Sequence, residues 1–289
     1  MPIVTVAHRT TYIYRYPVML GPHQLMLRPR ESRNLRLISH EIDILPQADL
    51  AWSQDVADNP VASAMFQSPT DRLTISSQAK VELSAPMWPI FPISANAAAY
   101  PFRYSDDEWT DLGALTRQQF QDDECQFSTW VEGFVRQRPT DTLSLLKDIN
   151  AGIPAQIFYE SRDSEGTQSP LQTLHRGRGS CRDFAVLLAE SARVLGLGAR
   201  LVSGYLFDPG SDMVGSTDAG STHAWVEIYI PGAGWITFDP TNQSMGASHL
   251  IPVAVVRDIR QAVPVAGSFS GSPDALVDMT VEVRVSASG

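Results

Sequence analysis

GRGSCRDFAVLLAESARVLG, residues 177–196, is the stretch on which the reading of this chain turns. Phe184, Leu187, Leu188, Ser191, Ala192 and Leu195 recur at the spacing of one buried helix face, and Gly196 supplies the stop. Ser180 and Asp183 form an S-x-x-D capping box, so Ser180 is the N-cap and Cys181 the first helical residue. A thiol there meets unpaired N–H groups and the positive end of the helix dipole. Both favour thiolate, and they pull the pKa below its ordinary value near ~8.5. Gly177 and Gly179 let the incoming loop, or a substrate chain, come close. Cys181 is therefore a candidate nucleophile, with a small buried hydrophobe as the plain alternative. The other cysteine, Cys125, stands beside Asp122, Asp123 and Glu124, whose charge disfavours a thiolate; it reads as structural.

Downstream, 199–207 reads as a strand and 208–221 as a long loop of small residues. Two further strands, 222–230 and 235–239, are joined by Pro231-Gly232-Ala233-Gly234, a connection short enough to make them antiparallel. Alternation puts His223, Trp225, Glu227 and Tyr229 on one face, and Trp235, Thr237 and Asp239 on one face of the partner. A turn of three or five residues brings His223 and Asp239 to the same face; a four-residue turn separates them unless a bulge intervenes. The odd turn is the expectation. It yields a thiolate supported by an imidazole that a carboxylate orients and keeps protonated. Taken singly, His223 reads as a backbone-satisfied histidine and Asp239 as a turn-former.

Upstream, Ser169-Pro170-Leu171-Gln172 is a second capping box that starts a short helix. Helical stripes run over 122–136 (Phe127, Trp130, Val131, Phe134) and 141–149 (Leu143, Leu146, Ile149). The first hundred residues are strand-like: Val4, Val6 and His8 alternate, as do Tyr12, Tyr14 and Tyr16, and further strands read at 35–44, 72–76 and 80–83. Pro86, Pro89, Pro92 and Pro101, with small residues at 95–99, suit a domain connection. A last alternating strand at 278–285 fits either sheet.

The segments 169–174, 177–206 and 222–242, with G-x-C-R-D-F, H-A-W-V-E and W-x-x-F-D-P-T in order, resemble the transglutaminase-like superfamily. Residues 7–30 and the stretch from His249 to Val285 resemble its bacterial branch, which carries an N-terminal β domain. The chain departs from that pattern at Val256-Arg257-Asp258-Ile259, where a G-R-D-Y-like run is expected, and at Val56-Ala57-Asp58-Asn59, where an aromatic-Gly-Asn turn is expected. The resemblance implies an α+β fold. A papain-like, transglutaminase-like core with an antiparallel sheet (99–289, including the C-terminal strands) follows an all-β N-terminal domain (1–98). It implies Cys181 as nucleophile, His223 as general base and acid, and Asp239 as its orienter, acting on a carboxamide through a thioester. The Cys181 backbone N–H is an oxyanion donor, with Tyr159 and His175 as candidates for the second donor; Arg182 and Trp225 are candidates for substrate contact. The reaction expected is hydrolysis of a peptide or isopeptide amide. Acyl transfer to an amine, or a non-catalytic protein-binding module, are the alternatives.

Composition bounds the rest. The 289 residues carry 22 Lys+Arg against 32 Asp+Glu, a formal net charge of −10, so no cation excess exists to displace counterions and nucleic acid is not an expected partner. No metal or other cofactor is expected, because the six histidines are dispersed without ligand spacing. With two cysteines, no apolar leader and no long apolar run, the expectation is a cytoplasmic chain with reduced thiols, no membrane partner and a protein or peptide substrate. The oligomeric state is left open.

Overall fold

The structure is a computed structural model that describes residues 1–161, 166–207 and 222–288. Its first part holds β1 (Ile3–Leu20), β2 (His23–Leu25), β3 (Leu35–Leu45), β4 (Asp49–Gln54), β5 (Pro60–Met65) and β6 (Thr70–Leu83). The two short strands read at 72–76 and 80–83 are one continuous strand, because β6 pairs along its length with both β1 and β3. β1 alternates buried and exposed residues, as its period-2 pattern requires. The six strands divide between two sheets, with β1, β6 and β3 in one and β2, β5 and β4 in the other. Tyr14, Val18, Leu25, Leu27, Ala62 and Leu73 fill the space between them, which makes this region a sandwich.

The connection at 95–99 does more than link. Ala97 is fully buried in the core of the second part, and Thr142 Oγ1 donates to its carbonyl. From there run β7 (Ala99–Tyr100), α1 (Asp106–Leu112), α2 (Gln126–Glu132), β8 (Thr140–Asp141), α3 (Thr142–Gln156), β9 (Phe158–Tyr159), α4 (Pro170–Arg176), β10 (Arg178–Gly179) and α5 (Cys181–Val194). α2 is shorter than its apolar stripe. The Asp122 carboxylate accepts from the N–H groups of Phe127 and Ser128, which fixes the start at Gln126. α3 is longer than read and contains Pro154 near its end. Ile149 and Ile153 continue the buried stripe, so only one helical hydrogen bond is forgone.

A second antiparallel sheet follows: β11 (Ala199–Leu206), β12 (Thr222–Ile230), β13 (Gly234–Asp239), β14 (Ser244–Met245) and β15 (Leu250–Val256), in the order β14-β13-β12-β11-β15. The loop read over 208–221 lies outside the described residues. Phe184, Leu187 and Leu188 of α5 share one buried core with Val226, Ile228, Ile236 and Phe238 of this sheet. α5 carries a buried ion pair: Arg193 Nη1 lies 2.6 Å from Glu190 Oε1, with both side chains at most 2 % exposed. Arg193 also donates to the carbonyls of Leu115, Ala199 and Arg257, so four of its five N–H donors are matched.

The chain then returns to its beginning. β16 (Val265–Ala266) pairs with β2, β17 (Phe269–Ser270) with β1, and β18 (Leu276–Ser288) runs antiparallel along β1 from Ile3↔Ser288 to Tyr14↔Leu276. The last strand therefore joins the first sheet, and the 99–289 division separates it from the strands it pairs with. The two parts are packed together by Val4, Val6, Val81 and Val283 against Tyr205, Phe207, Ile251 and Val253. Two polar contacts cross the same boundary. The Asn59 amide exchanges two hydrogen bonds with the Val255 backbone, each 2.8 Å, in the manner of a strand neighbour. His8 Nδ1 sits 3.0 Å from the Tyr205 hydroxyl, and burial lowers the His8 ring to about 4.

Candidate active site

α5 begins as its sequence dictates. Cys181 is the first helical residue, half-buried, at the rim of the core. Asp183 is fully buried and reaches back: its carboxylate accepts from the Ser180 N–H at 2.8 Å and from the Ser180 hydroxyl at 3.0 Å. It also accepts from the Gln168 N–H at 2.7 Å and the Gln168 amide at 3.1 Å. The loop ahead of the nucleophile is thus bound to the helix it enters. The glycine at 179 is needed for this closeness, since a Cβ there would stand 2.9 Å from that of Asp183. Gln168 itself gave no sign in the sequence, because its role depends on a partner in the first turn of a distant helix.

The β12–β13 hairpin has a three-residue turn. Ile230 pairs with Gly234 and Val226 with Phe238, the odd-turn register, and His223 and Asp239 come together on one face. His223 Nε2 lies 2.8 Å from Asp239 Oδ2, with both side chains buried. Cys181 is the second group that acts on the same ring, favouring its charged form. Burial disfavours the charged ring, yet the hydrogen bonds and negative charge of Asp239 and Cys181 outweigh it and push His223 up to about 10. Burial likewise opposes the Asp239 carboxylate, but the His223 ring and Asn242 hold it below its ordinary value. Asn242 was not singled out in the sequence. Its amide donates to Asp239 Oδ2 at 2.7 Å, and the N–H groups of Thr241 and Asn242 donate to Oδ1. The Asp-Pro-Thr-Asn turn thus secures both carboxylate oxygens.

The remaining candidates separate. The Tyr159 backbone lies beside Gly179 in the parallel β9–β10 pair, and its ring meets Phe184 edge-on at 5.9 Å. His175 is exposed at the end of α4, with Nε2 3.0 Å from Gln126 Oε1 of α2, and so is engaged away from the hairpin. Arg182 borders a cavity between the two parts of the chain. Trp225 is 1 % exposed and packs with Val202, Leu250 and Val255, so it is a core residue and not a cleft wall. Its ring fits because position 204 is glycine: a Cβ there would lie 2.8 Å from the indole and 2.1 Å from the Ile251 oxygen. Among the described residues no group of three or more His, Cys, Asp or Glu is arranged to hold a metal ion, and no helix is long and apolar enough to cross a membrane.

Residues 4–82 match the bacterial transglutaminase-like N-terminal region, and residues 128–240 match the transglutaminase-like superfamily core. The chain belongs to the transglutaminase-like superfamily. An uncharacterized protein of Mycobacterium leprae is 26 % identical to this transglutaminase-like chain over 286 residues, covering 96 % of it and 97 % of the relative. The crystal structure of a proposed cysteine protease from Cytophaga hutchinsonii shares the fold, with a TM-score of 0.71 over 98 % of this chain and 90 % of that one, at 19 % identity. A protein-glutamine gamma-glutamyltransferase of Pseudomonas aeruginosa is 39 % identical over 70 residues, 22 % of this chain and 10 % of that protein.

Proposed function

We propose that this transglutaminase-like chain is a cysteine hydrolase that cleaves peptide or isopeptide amides on a Cys181–His223–Asp239 triad. The observation that carries the reading is a single buried imidazole held by Asp239 and raised in pKa by both Asp239 and Cys181, the cysteine at a helix N-terminus. Asp239 keeps the ring cationic and oriented, and the cation balances a thiolate on Cys181. The thiolate attacks the amide carbonyl and forms the C–S bond. The oxyanion faces the backbone N–H of Cys181 at the helix start, with Tyr159 as the candidate second donor. His223 gives its proton to the departing nitrogen as the C–N bond breaks, which leaves a thioester and a neutral ring. That ring then takes a proton from water as water attacks and keeps it when the C–S bond breaks, which restores the thiolate–imidazolium pair, and the carboxylic acid product gives its proton to solvent or the released amine. The scheme uses these side chains alone. Its partner is a protein or peptide; nucleic acid, a membrane surface and a cofactor have no part in it, and it operates in the cytoplasm.

A second reading, transfer of the acyl group to an amine, is favoured by the short match to the Pseudomonas glutamyltransferase. The two are separated by offering a fluorescent amine with a glutamine-containing peptide. Release of ammonia or shortened peptide without incorporation supports hydrolysis, and incorporation supports transfer. The triad itself is tested by iodoacetamide at pH 6. Cys181 should alkylate much faster than a model thiol, and Cys181→Ala should stay folded and lose the fast labelling by electrophilic probes, keeping only the slow labelling of exposed Cys125. Alkylation at the model-thiol rate would favour a non-catalytic binding module.

A further inference from the structure

We propose that the outer edge of β18 is a self-association surface. A second copy of this chain adds its own β18 there, antiparallel and about a two-fold axis at Val281, so the first sheet of one copy runs on into that of the other. The pairing is independent of the reading of Cys181. Among the described residues β18 pairs with β1 and with no other strand. Its outer side therefore presents a row of N–H and C=O groups along the thirteen residues Leu276–Ser288. Natural sheets blunt such an edge with proline, a bulge or a charge that points inward. β18 has no proline, and its register with β1 is unbroken from Asp278 to Ser288. Its inward face is apolar: Met279, Val281, Val283, Val285 and Ala287 stand beside Tyr12, Thr10, His8, Val6 and Val4 of β1. Val283 joins the core between the two parts of the chain, whereas Met279 and Val281 remain 38 % and 49 % exposed.

Charge selects both the occupant and the register. The outward face of β18 carries Asp278, Thr280, Glu282, Arg284 and Ser286. Across from them in β1, Glu282 already faces Arg9, whereas Asp278 faces Ile13 and Arg284 faces Ala7. An axis at Val281 sets Asp278 of each copy opposite Arg284 of the other, so this opposite-charge pair forms twice, and it sets Glu282 opposite Thr280. On the inward face the same axis brings Val281 beside Val281 and Met279 beside Val283, which covers the two exposed apolar side chains. Neighbouring registers are worse. An axis at Thr280 sets Asp278 against Glu282, and one at Glu282 sets that carboxylate against itself; like charges directly opposite are destabilising. An axis at Val283 centres the contact on a side chain that is already buried and leaves Met279 opposite Ala287. Read from one end and then from the other, β18 is its own complement in charge and in apolar face, and that makes a second copy the partner it fits.

The test is sedimentation velocity of the full chain between about 1 and about 200 μM. The unsubstituted chain should pass from monomer to dimer and go no further, because a two-fold pairing occupies the edge of both copies. Arg284→Asp creates two like-charge pairs across the axis and should raise the dimer dissociation constant at least about tenfold. Adding Asp278→Arg to it restores both pairs and should return the constant to within about threefold of the original. Val281→Lys, an inward charge at a half-exposed position, should leave a monomer throughout. The register is read by disulfide capture in a chain carrying Cys125→Ser and Cys181→Ala, which removes both native thiols. Val281→Cys should cross-link under mild oxidation, and Asp278→Cys, whose two copies would stand about 20 Å apart along the strand, should not. A chain that stays monomeric, a dimer unaffected by Arg284→Asp and Val281→Lys, growth beyond the dimer, or efficient cross-linking through position 278 would overturn the pairing.

Discussion

Asp239→Asn keeps the side-chain volume and removes one charge, which makes it the sharpest probe of the proposed triad. Asp239 Oδ2 stands 2.8 Å from His223 Nε2, and both side chains are buried. A hydrogen bond between charged partners contributes about 1.5–3 kcal/mol, or roughly one to two pH units at ~1.36 kcal/mol per unit. Burial lowers the His223 ring while Asp239 and Cys181 raise it to about 10, so loss of the carboxylate should bring it down to about 8–9 on that scale. The assay is alkylation of Cys181 by iodoacetate, read site by site by mass spectrometry. As an anion the reagent reacts fastest while the neighbouring ring is cationic, so its rate falls as the ring loses its proton. In the unsubstituted protein the fall should be centred near pH 10, and in Asp239→Asn about one to two units lower. The stability counterpart has a definite sign. A ring raised above its unfolded value near 6.5 stabilises fully below that pH, and its contribution is lost as pH rises towards 10. That slope should be shallower in the variant. Coincident iodoacetate profiles for the two proteins would refute the claim that Asp239 holds the proton on His223.

Three further outcomes are expected. Arg193→Met strands the buried Glu190 carboxylate and should cost about 3–5 kcal/mol in urea unfolding, whereas Arg193→Met with Glu190→Leu should recover most of the loss. Asn59→Ala leaves the Val255 N–H and C=O without their partner and should cost about 2–4 kcal/mol, read from the same unfolding curves. His8, held at about 4 by burial, binds its proton later than the unfolded chain does as pH falls. Stability should therefore drop by about 3 kcal/mol between pH 6.5 and 4, and His8→Gln should flatten that decline in thermal melts.

The parts of this molecule that were readable in advance are those fixed by neighbours in the chain. α5 follows from an apolar period and a capping pair a few residues apart. The His223–Asp239 encounter follows from a connection too short for any arrangement but a tight hairpin, with the turn parity as the only choice. What was not readable depends on partners far along the chain. The alternation at 278–285 requires a sheet but does not name it, and only β1, with one side open, decides it. Asn59 looked like a turn residue, yet it completes the edge of β15 with its side chain. Trp225 read more readily as core than as cleft wall but could be either; the room that Gly204 leaves for its ring in β11 decides for the core. The late start of α2 came from an aspartate that caps the helix at Gln126, a point where the apolar stripe gives no reason to begin.

The closure of β18 onto β1 fixes an order of events during synthesis. β1 leaves the ribosome long before the segment that pairs with it from Ile3 to Tyr14. Until then one long flank of the first sheet has its amides and carbonyls open, and Val4 and Val6 lack the cover of Val283. The nucleophile's helix and its hairpin are made within that interval, so the catalytic core can gather while the sandwich is still open on one side. A nascent chain stalled before β18 should accordingly be a good client for a chaperone that grips exposed strands, and should cease to be one once the final strand has emerged.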